Sequence, residues 1–310
     1  MRRYAARRAL HAVPVLFGVT LISFLLVHAI PGDPIRTMLQ LHATPEAVAY
    51  WRNFYGLDLP LPIQYLDFLR RLATLDMGQS IQLRQFVSDV IILRLGPTLA
   101  LILYCVLLSL LITFVLATVS ALSVGHWPDR VVKVISMVTN AMPAFWVGLT
   151  LIEIFCIRLG LFPASGLRDG LLPLIWSLTL PAVTVALYVS PVLIRGLRST
   201  MIGLLHADFV EAARARGLSE STILVRYVLR NSLVTLVTMV GLNVGFLIGG
   251  TIVVENVFAI PGIGQLIVNA VTSQDFPVVQ ACVLLIGVWV VTVNLLTDLL
   301  NAALDPRIRL

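Results

Sequence analysis

The chain has 310 residues, of which 58% are hydrophobic and 12% charged. Soluble domains carry about 45–50% apolar and about 25% charged residues, so a soluble enzyme of this length would lack polar surface, and disorder is excluded more strongly. The net charge of +6, from 22 basic and 16 acidic residues, would suggest nucleic acid in a soluble protein; in so apolar a chain it reads as membrane topology, with lipid and no nucleic acid as partner.

Six segments lack Asp, Glu, Lys and Arg: Ala9–Ile30, Leu95–Gly125, Val134–Ile152, Gly170–Ile194, Asn231–Val254 and Phe276–Thr297. Crossing the apolar core of a bilayer takes about 20 residues at about 1.5 Å per residue. None alternates with period two, which excludes an outer-membrane barrel. The predicted class is an all-α integral membrane protein with spans at 9–30, 95–125, 134–157, 170–194, 231–254 and 276–297. A segment at 31–94 lies outside, a loop at 195–230 lies inside, and 1–8 and 298–310 are cytoplasmic. The orientation follows from the basic residues: the predicted cytoplasmic pieces hold 14 basic against 6 acidic residues.

Arg2, Arg3, Arg7 and Arg8 precede the first apolar run. That run is too long for a signal peptide, and Ile30-Pro31-Gly32-Asp33 offers no small-residue cleavage site, so it reads as a retained anchor. In 31–94, Thr44-Pro45-Glu46 supplies a cap, a first-position proline and a first-turn acid, with Gly56 as a stop. A second helix is expected over Ile63–Ala73, with Tyr65, Phe68, Leu69 and Leu72 on one face. Together they predict a small helical extracytoplasmic cap.

Lys133 is the only lysine and follows no glycine-rich turn, so no Walker-type nucleotide site is expected. Cys105, Cys156 and Cys282 have no metal or disulfide spacing. Pro261-Gly262-Ile263-Gly264-Gln265 lacks the third glycine and the βαβ context of a dinucleotide loop and reads as an outer-loop turn. No ionisable group falls at mid-membrane: Glu153 and Asp298 are expected near the faces, and His11 and His28 flank the first span. A self-powered carrier would place charges there, so transport energy should come from a partner. A passive channel and a lipid-directed membrane enzyme are the rival classes; no cluster of His, Asp or Glu near one interface supports the enzyme.

Pro173, Pro181 and Pro191 predict kinks in the fourth span. His206 to Glu220 predicts a short, slim cytoplasmic helix: Asp208 as N-cap with Glu211 closing a capping box, Ala212, Ala213 and Ala215 as helix formers, Gly217 as a left-handed stop, and Ser219 capping the next helix. Gly241, Gly245 and Gly249 form two overlapping GxxxG steps, read either as a seam with a partner or as packing within the chain.

Glu211-Ala212-Ala213, three residues and then Gly217 resembles the EAA loop of ABC-importer permeases. At the distal end, where the family pattern has Ile-x-Leu-Pro, this chain has Tyr227, Leu229 and Arg230, retaining only the leucine. Further stretches resemble the peptide and nickel branch: Pro31-Gly32-Asp33-Pro34, Gly56-Leu57-Asp58-Leu59-Pro60-Leu61, Gln64-Tyr65, Phe145-Trp146-Val147-Gly148-Leu149, Phe162-Pro163-Ala164-Ser165-Gly166, Val257 through Gly264, and Leu304-Asp305-Pro306-Arg307. In order and with six spans, they are similar to the B-type permease subunit of dipeptide and oligopeptide importers of the bacterial plasma membrane. The resemblance implies a non-catalytic chain with no cofactor of its own. It also implies a second homologous permease as heterodimer partner, two ATP-binding subunits or domains that hold ATP and Mg, and an extracytoplasmic substrate-binding protein served by 31–94. On that likeness Asp208, Glu211, Ala212, Ala213, Arg214, Arg216 and Gly217 form the helix that couples to the ATPases. The expected substrate is a short peptide, with nickel and glutathione as the alternatives inside the same family.

Overall fold

The computed structural model describes residues 2–29, 34–39, 43–54 and 56–304; Pro31-Gly32-Asp33 and Asp305-Pro306-Arg307 lie outside these residues. Helices account for nearly all of it: α1 (Arg2–Ala29), α2 (Pro34–Leu39), α3 (Pro45–Phe54), α4 (Leu61–Ala73), α5 (Val87–Leu122), α6 (Trp127–Ala141), α7 (Ala144–Leu151), α8 (Leu171–Leu205), α9 (Asp208–Ala215), α10 (Glu220–Ile223), α11 (Arg230–Val257), α12 (Ile263–Thr272) and α13 (Phe276–Leu304). Ile152–Arg158 and Leu224–Leu229 are π-helical and continue α7 and α10. The described residues contain no strand, only the single bridge between Gln79 and Phe86.

Four helical stretches are long and apolar enough to cross a membrane: Val87–Leu122, Leu171–Leu205, Glu220–Gly245 and Phe276–Ala302. The expected straight span at 134–157 is instead a bent pair, α6 and α7 with its π-helical extension, turned by 102°. The cause is Pro143, which holds Met142 at φ −87°, ψ 130° and cannot itself donate to the helix ladder. Of the three prolines expected to kink α8, Pro173 stands in the first turn, where its missing N–H has no helical acceptor to lose; only Pro181 and Pro191 are interior. Pro14 and Pro97 also lie inside helices, α1 and α5.

Lipid supplies no hydrophobic drive between helices, so close approach and interhelical hydrogen bonds hold them. Parallel α5 and α8 are joined by Tyr104 and Thr179 hydroxyls 3.2 Å apart and, near the opposite end, by Arg198 Nε donating to Ser120 Oγ at 2.8 Å. Antiparallel α1 and α13 approach where Gly287 faces Val19; a Cβ on Gly287 would lie 2.3 Å from the valine. Ser23 Oγ donates to the Gln280 carbonyl at 3.0 Å, and Arg8 pairs with Asp298 at 3.0 Å, fixing the register of that pair at both ends.

The buried residues form three stacked cores. One joins α5, α12 and α13 through Val87, Val90, Ile263, Leu266 and Cys282. The middle one centres on Leu101, Cys105, Leu193 and Ile248. The third gathers Ala117, Leu197, Met201, Val210, Ala213, Ile223 and Leu236 around α9. At the opposite end from α9, α4 rests on α1: Phe24 lies edge-on to Tyr65 at 5.3 Å and beside Phe68 at 6.0 Å, and the Tyr65 hydroxyl meets Thr20 Oγ1 at 2.8 Å.

Candidate functional site

The short helix α9 is an amphipathic wedge. Val210 and Ala213 are fully buried in the third core, while Glu211, Ala212 and Arg214 face outward. Asp208 is not its N-cap: Ala207 holds that position and no side chain caps the helix. Asp208 and Glu211 instead both fall in the first turn, where carboxylates face the positive end of the helix dipole without needing cap geometry.

The exit from α9 closes as a Schellman motif. Gly217 N donates to Arg214 O at 2.9 Å and Leu218 N to Ala213 O at 3.3 Å, with Gly217 at φ +77°. Ser219 then accepts from Thr222 N at 3.4 Å and starts α10. Across the turn Arg214 grips Glu220 with two hydrogen bonds, 2.7 and 3.2 Å, and reaches the Leu205 carbonyl at 3.5 Å. The hydrogen bond to Glu220 raises the Arg214 guanidinium above its ordinary value. Arg216 Nε donates to Ala212 O at 3.1 Å. The helix is therefore fixed to its platform and clasped at its end, presenting a narrow outward face.

Directly behind it lies an ion-pair centre that the sequence reading did not identify. Asp129, with 0% exposure, joins α5, α6 and α8. Its Oδ1 accepts from Arg198 Nε at 2.8 Å and Ser120 Oγ at 2.5 Å. Its Oδ2 accepts from Arg198 Nη2 at 3.0 Å, Lys133 Nζ at 2.8 Å and the Gly125 amide at 3.1 Å. Every lone-pair direction is used, which is the condition under which a buried carboxylate persists. Arg198 sits two turns before the end of α8, so the centre ties that helix to its neighbours just ahead of α9. The i,i+4 spacing of Asp129 and Lys133 is the signal that could have pointed to it.

Two more buried carboxylates hold the opposite end. Glu255 was expected in a loop but lies inside α11 with 0% exposure. It accepts from Thr98 Oγ1 at 2.7 Å and from the Gln265 amide at 3.1 Å, while Thr98 Oγ1 accepts from Ile263 N at 2.8 Å. The carboxylate thus caps the start of α12, and the stretch expected to be a turn is the N-terminus of a ten-residue helix. Both glycines of Pro261-Gly262-Ile263-Gly264 are required by this approach. A Cβ on Gly262 would come within 2.3 Å of Glu255 Oε2, and one on Gly264 within 2.5 Å of the Ile252 backbone. Asp275 does similar work for residues 80–82, accepting the Ser80 hydroxyl and the amides of Ile81 and Gln82 at 3.1 and 3.2 Å.

The glycine steps of α11 do not share one role. Gly241 packs against α13, where a Cβ would meet Thr297 at 2.2 Å; Gly245 has Asn294 at 3.6 Å; Gly249 faces open space. Among the described residues no three His, Cys, Asp or Glu side chains are grouped to hold a metal ion.

Residues 113–310 match the family described as the binding-protein-dependent transport system inner membrane component. Residues 1–102 match the N-terminal region described for the membrane component of the same systems. The chain is 38% identical over 309 residues to the glutathione transport system permease protein GsiC of Pectobacterium atrosepticum, covering 100% of this chain and 99% of that protein. It is 37% identical over 310 residues to GsiC of Salmonella choleraesuis and 36% to that of Escherichia coli K12, with the same coverage. Among solved structures, a chain of the MetNI methionine ABC transporter in an inward-facing conformation superposes with a TM-score of 0.59. That match has 16% identity and covers 70% of this chain and 96% of that one. A chain of an amino acid ABC transporter crystallised with histidines gives 0.54 at 17% identity, covering 70% and 94%. At such identities the likeness is one of fold.

Proposed function

This chain belongs to the inner-membrane permeases of binding-protein-dependent transport systems, and from that premise we propose that it forms half of a translocation pathway for glutathione. The coarser statement is established by the family: the chain is a non-catalytic, multi-pass permease subunit of a bacterial ABC importer, in the peptide and nickel branch. The choice of glutathione over the dipeptides and longer peptides favoured by the motifs rests on one observation, the 36–38% identity to glutathione permeases along the full length. Glutathione is a short peptide with an unusual first linkage, so the reading narrows the peptide expectation rather than leaving it.

In this reading the chain crosses the membrane six times with both termini cytoplasmic. The crossings are α1, α5, the bent pair α6 and α7, α8, the rod from Glu220 to Val257, and α13. The segment 31–94 faces outward for the binding protein. The α9 helix enters a groove on an ATP-binding subunit, two of which supply ATP and Mg; a homologous permease completes the pathway. The exposed Glu211, Ala212 and Arg214 on a helix whose other face is buried support this role. ATP-driven closure of the ATPases would push α9, and through its buried face α8 and the rod, opening the pathway alternately to each side.

The test is uptake in cells that lack their own glutathione importer and express this chain with its partner subunits and binding protein. Labelled glutathione should accumulate in an ATP-dependent manner, unaffected by excess dipeptide. Accumulation of dipeptide or nickel without glutathione would sink the assignment of substrate while leaving the permease itself in place.

A further inference from the structure

Side-chain hydrogen bonds sort the long helices into two sets. α5, α6 and α8 are tied together by Tyr104 to Thr179 and by the Asp129 centre. α1, α11, α12 and α13 are tied by Arg8 to Asp298, Ser23 to the Gln280 carbonyl, Thr238 to Asn301 Oδ1 at 2.9 Å, Trp289 Nε1 to the Val244 carbonyl at 3.3 Å, and the Gln265 amide to Glu255. Where the sets meet, their two ends differ. Near α9 the contact is apolar. Gly196 of α8 admits Met239 of α11 so closely that a Cβ would lie 2.2 Å from its terminal methyl, and Leu236 shares a core with Ile194 and Leu197. Among the described residues no hydrogen bond joins the helices of the two sets there. The opposite end is polar. Thr98, inside α5 and with 0% exposure, donates to Glu255 Oε1 of α11 at 2.7 Å and accepts from the Ile263 amide of α12 at 2.8 Å. One turn earlier Arg94 Nη1 donates to Gln265 Oε1 at 3.3 Å. Asp275 bonds residues 80–82, a loop that precedes α5; Thr98 stands in the helix itself.

We propose that Thr98 is a positioning residue for transport: its hydroxyl latches α11 and α12 to α5 and holds the outer end of the pathway shut until α9 is driven against the joint between the two sets. On the crossings and the coupling proposed above, on which this role rests, Thr98 stands at the outer end and α9 is the driven part. The buried face of α9 shares its core with both sets, with Leu197 and Met201 of α8 and with Leu236 of α11. A push there bears on their apolar joint, where no hydrogen bond resists sliding. Glu255 caps α12 across a short turn, so α12 travels with α11, and the bonds that part between the helices are those of Thr98 and Arg94. In the shut arrangement Glu255 Oε1 and the Ile263 amide both have Thr98 as partner; an opening that admits water satisfies both groups without it. Loss of the hydroxyl would therefore weaken the shut arrangement by leaving two buried groups unpaired, and would leave the open one unchanged. Coupling between two sites is reciprocal. If closure of the ATPases favours outer opening through α9, a released latch favours closure of the ATPases.

The test is ATP hydrolysis by the transporter reconstituted in nanodiscs with its partner subunits and without binding protein. Thr98→Val, which keeps the shape and removes the hydroxyl, should raise hydrolysis by up to about tenfold, the worth of one buried hydrogen bond. Thr98→Ser, which keeps the hydroxyl, should stay near the wild type. Damage to the fold alone would lower hydrolysis. Unchanged or reduced hydrolysis in an assembled Thr98→Val transporter would therefore overturn the proposal, as would an equal rise in Thr98→Ser. A second arm leaves Thr98 in place and decides the matter if Thr98→Val does not assemble. Arg94→Cys with Gln265→Cys, bridged by a bifunctional methanethiosulfonate, should bring hydrolysis stimulated by the binding protein down to the unstimulated level, and reductant should restore it. Full stimulation with the bridge in place would show that the seam need not open and would overturn the latch. Neither readout depends on which substrate is carried. An impermeant maleimide that labels Gln265→Cys in inverted vesicles but not in intact cells would overturn the assigned crossings separately, while the two hydrolysis measurements still decide the latch.

Discussion

Asp129 gathers five donors in the space of one carboxylate, and its burial makes each of them matter. Removing one member of a buried ion pair leaves the other charge desolvated, at a cost of about 3–5 kcal/mol. Asp129→Ala should therefore lower the melting temperature of the purified complex sharply, whereas Asp129→Ala combined with Arg198→Ala should cost less than the two single changes added together. Strict additivity would show that the pair does not act as a unit. Gly217 allows a cleaner measurement, because a Cβ there meets nothing within 4 Å and only the backbone conformation is at stake. With φ at +77°, a side chain costs about 1–2 kcal/mol, less for asparagine. The ratio of substrate imported to ATP hydrolysed should fall in the order Gly217, Gly217→Asn, Gly217→Ala, Gly217→Pro; a flat series would remove the turn from the coupling path.

Between α9 and its platform the buried contact is small and apolar, resting on Val210 and Ala213, with Arg214 adding polar contacts at the rim. Val210→Asp would place a charge with no partner in that core. The expected result is a complex that hydrolyses ATP but imports little, with the outward face of α9 unchanged; normal import would mean that α9 transmits nothing through its buried side. Local chemistry made α9 legible in advance. Its alanines, the left-handed glycine and the serine cap of α10 are all short-range features, and Tyr65 and Phe68 of α4 likewise show the periodicity of a packed face. The capping box at Asp208 failed because Ala207 takes the cap position, one residue earlier than the side-chain chemistry suggests. The sharp break in α6–α7 was hidden because apolar runs do not reveal direction, although Met142-Pro143 marks it once the backbone is considered. Glu255, Asp129 and Asp275 were invisible for a different reason. Asp275 and Glu255 are satisfied by groups distant in the chain, and although Lys133 stands four residues from Asp129, the Arg198 that completes that centre is 69 residues away; a single sequence shows an acid in a loop where the fold buries it.

At the scale of the whole molecule the polar work is divided between two ends. One end holds α9 and the Asp129 centre; the other holds the carboxylates that fix α12 and residues 80–82 beneath the cap of α3 and α4. Among the described residues the cap meets the bundle where α4 rests on α1, and loss of the cap should spare the rest of the fold. Deletion of Thr44–Leu75 should abolish uptake that depends on the binding protein while the chain still assembles with its ATPases; undiminished uptake would show that docking lies elsewhere.

One feature links the ends. From Glu220 to Val257 the backbone is helical without interruption, beginning at the residue clasped by Arg214 and finishing just past Glu255. At about 1.5 Å per residue that rod is roughly 57 Å long, so pivoting it by about 5° about one end would carry the other about 5 Å, comparable to the width of a peptide backbone. The same rod contains a π-helical stretch at Leu224–Leu229, where the ladder is wound wider than in the remainder. The π-helical stretch lies beside the end that Arg214 clasps, so a push arriving through α9 would meet this rod first at its wider-wound turns and only then travel on toward Glu255.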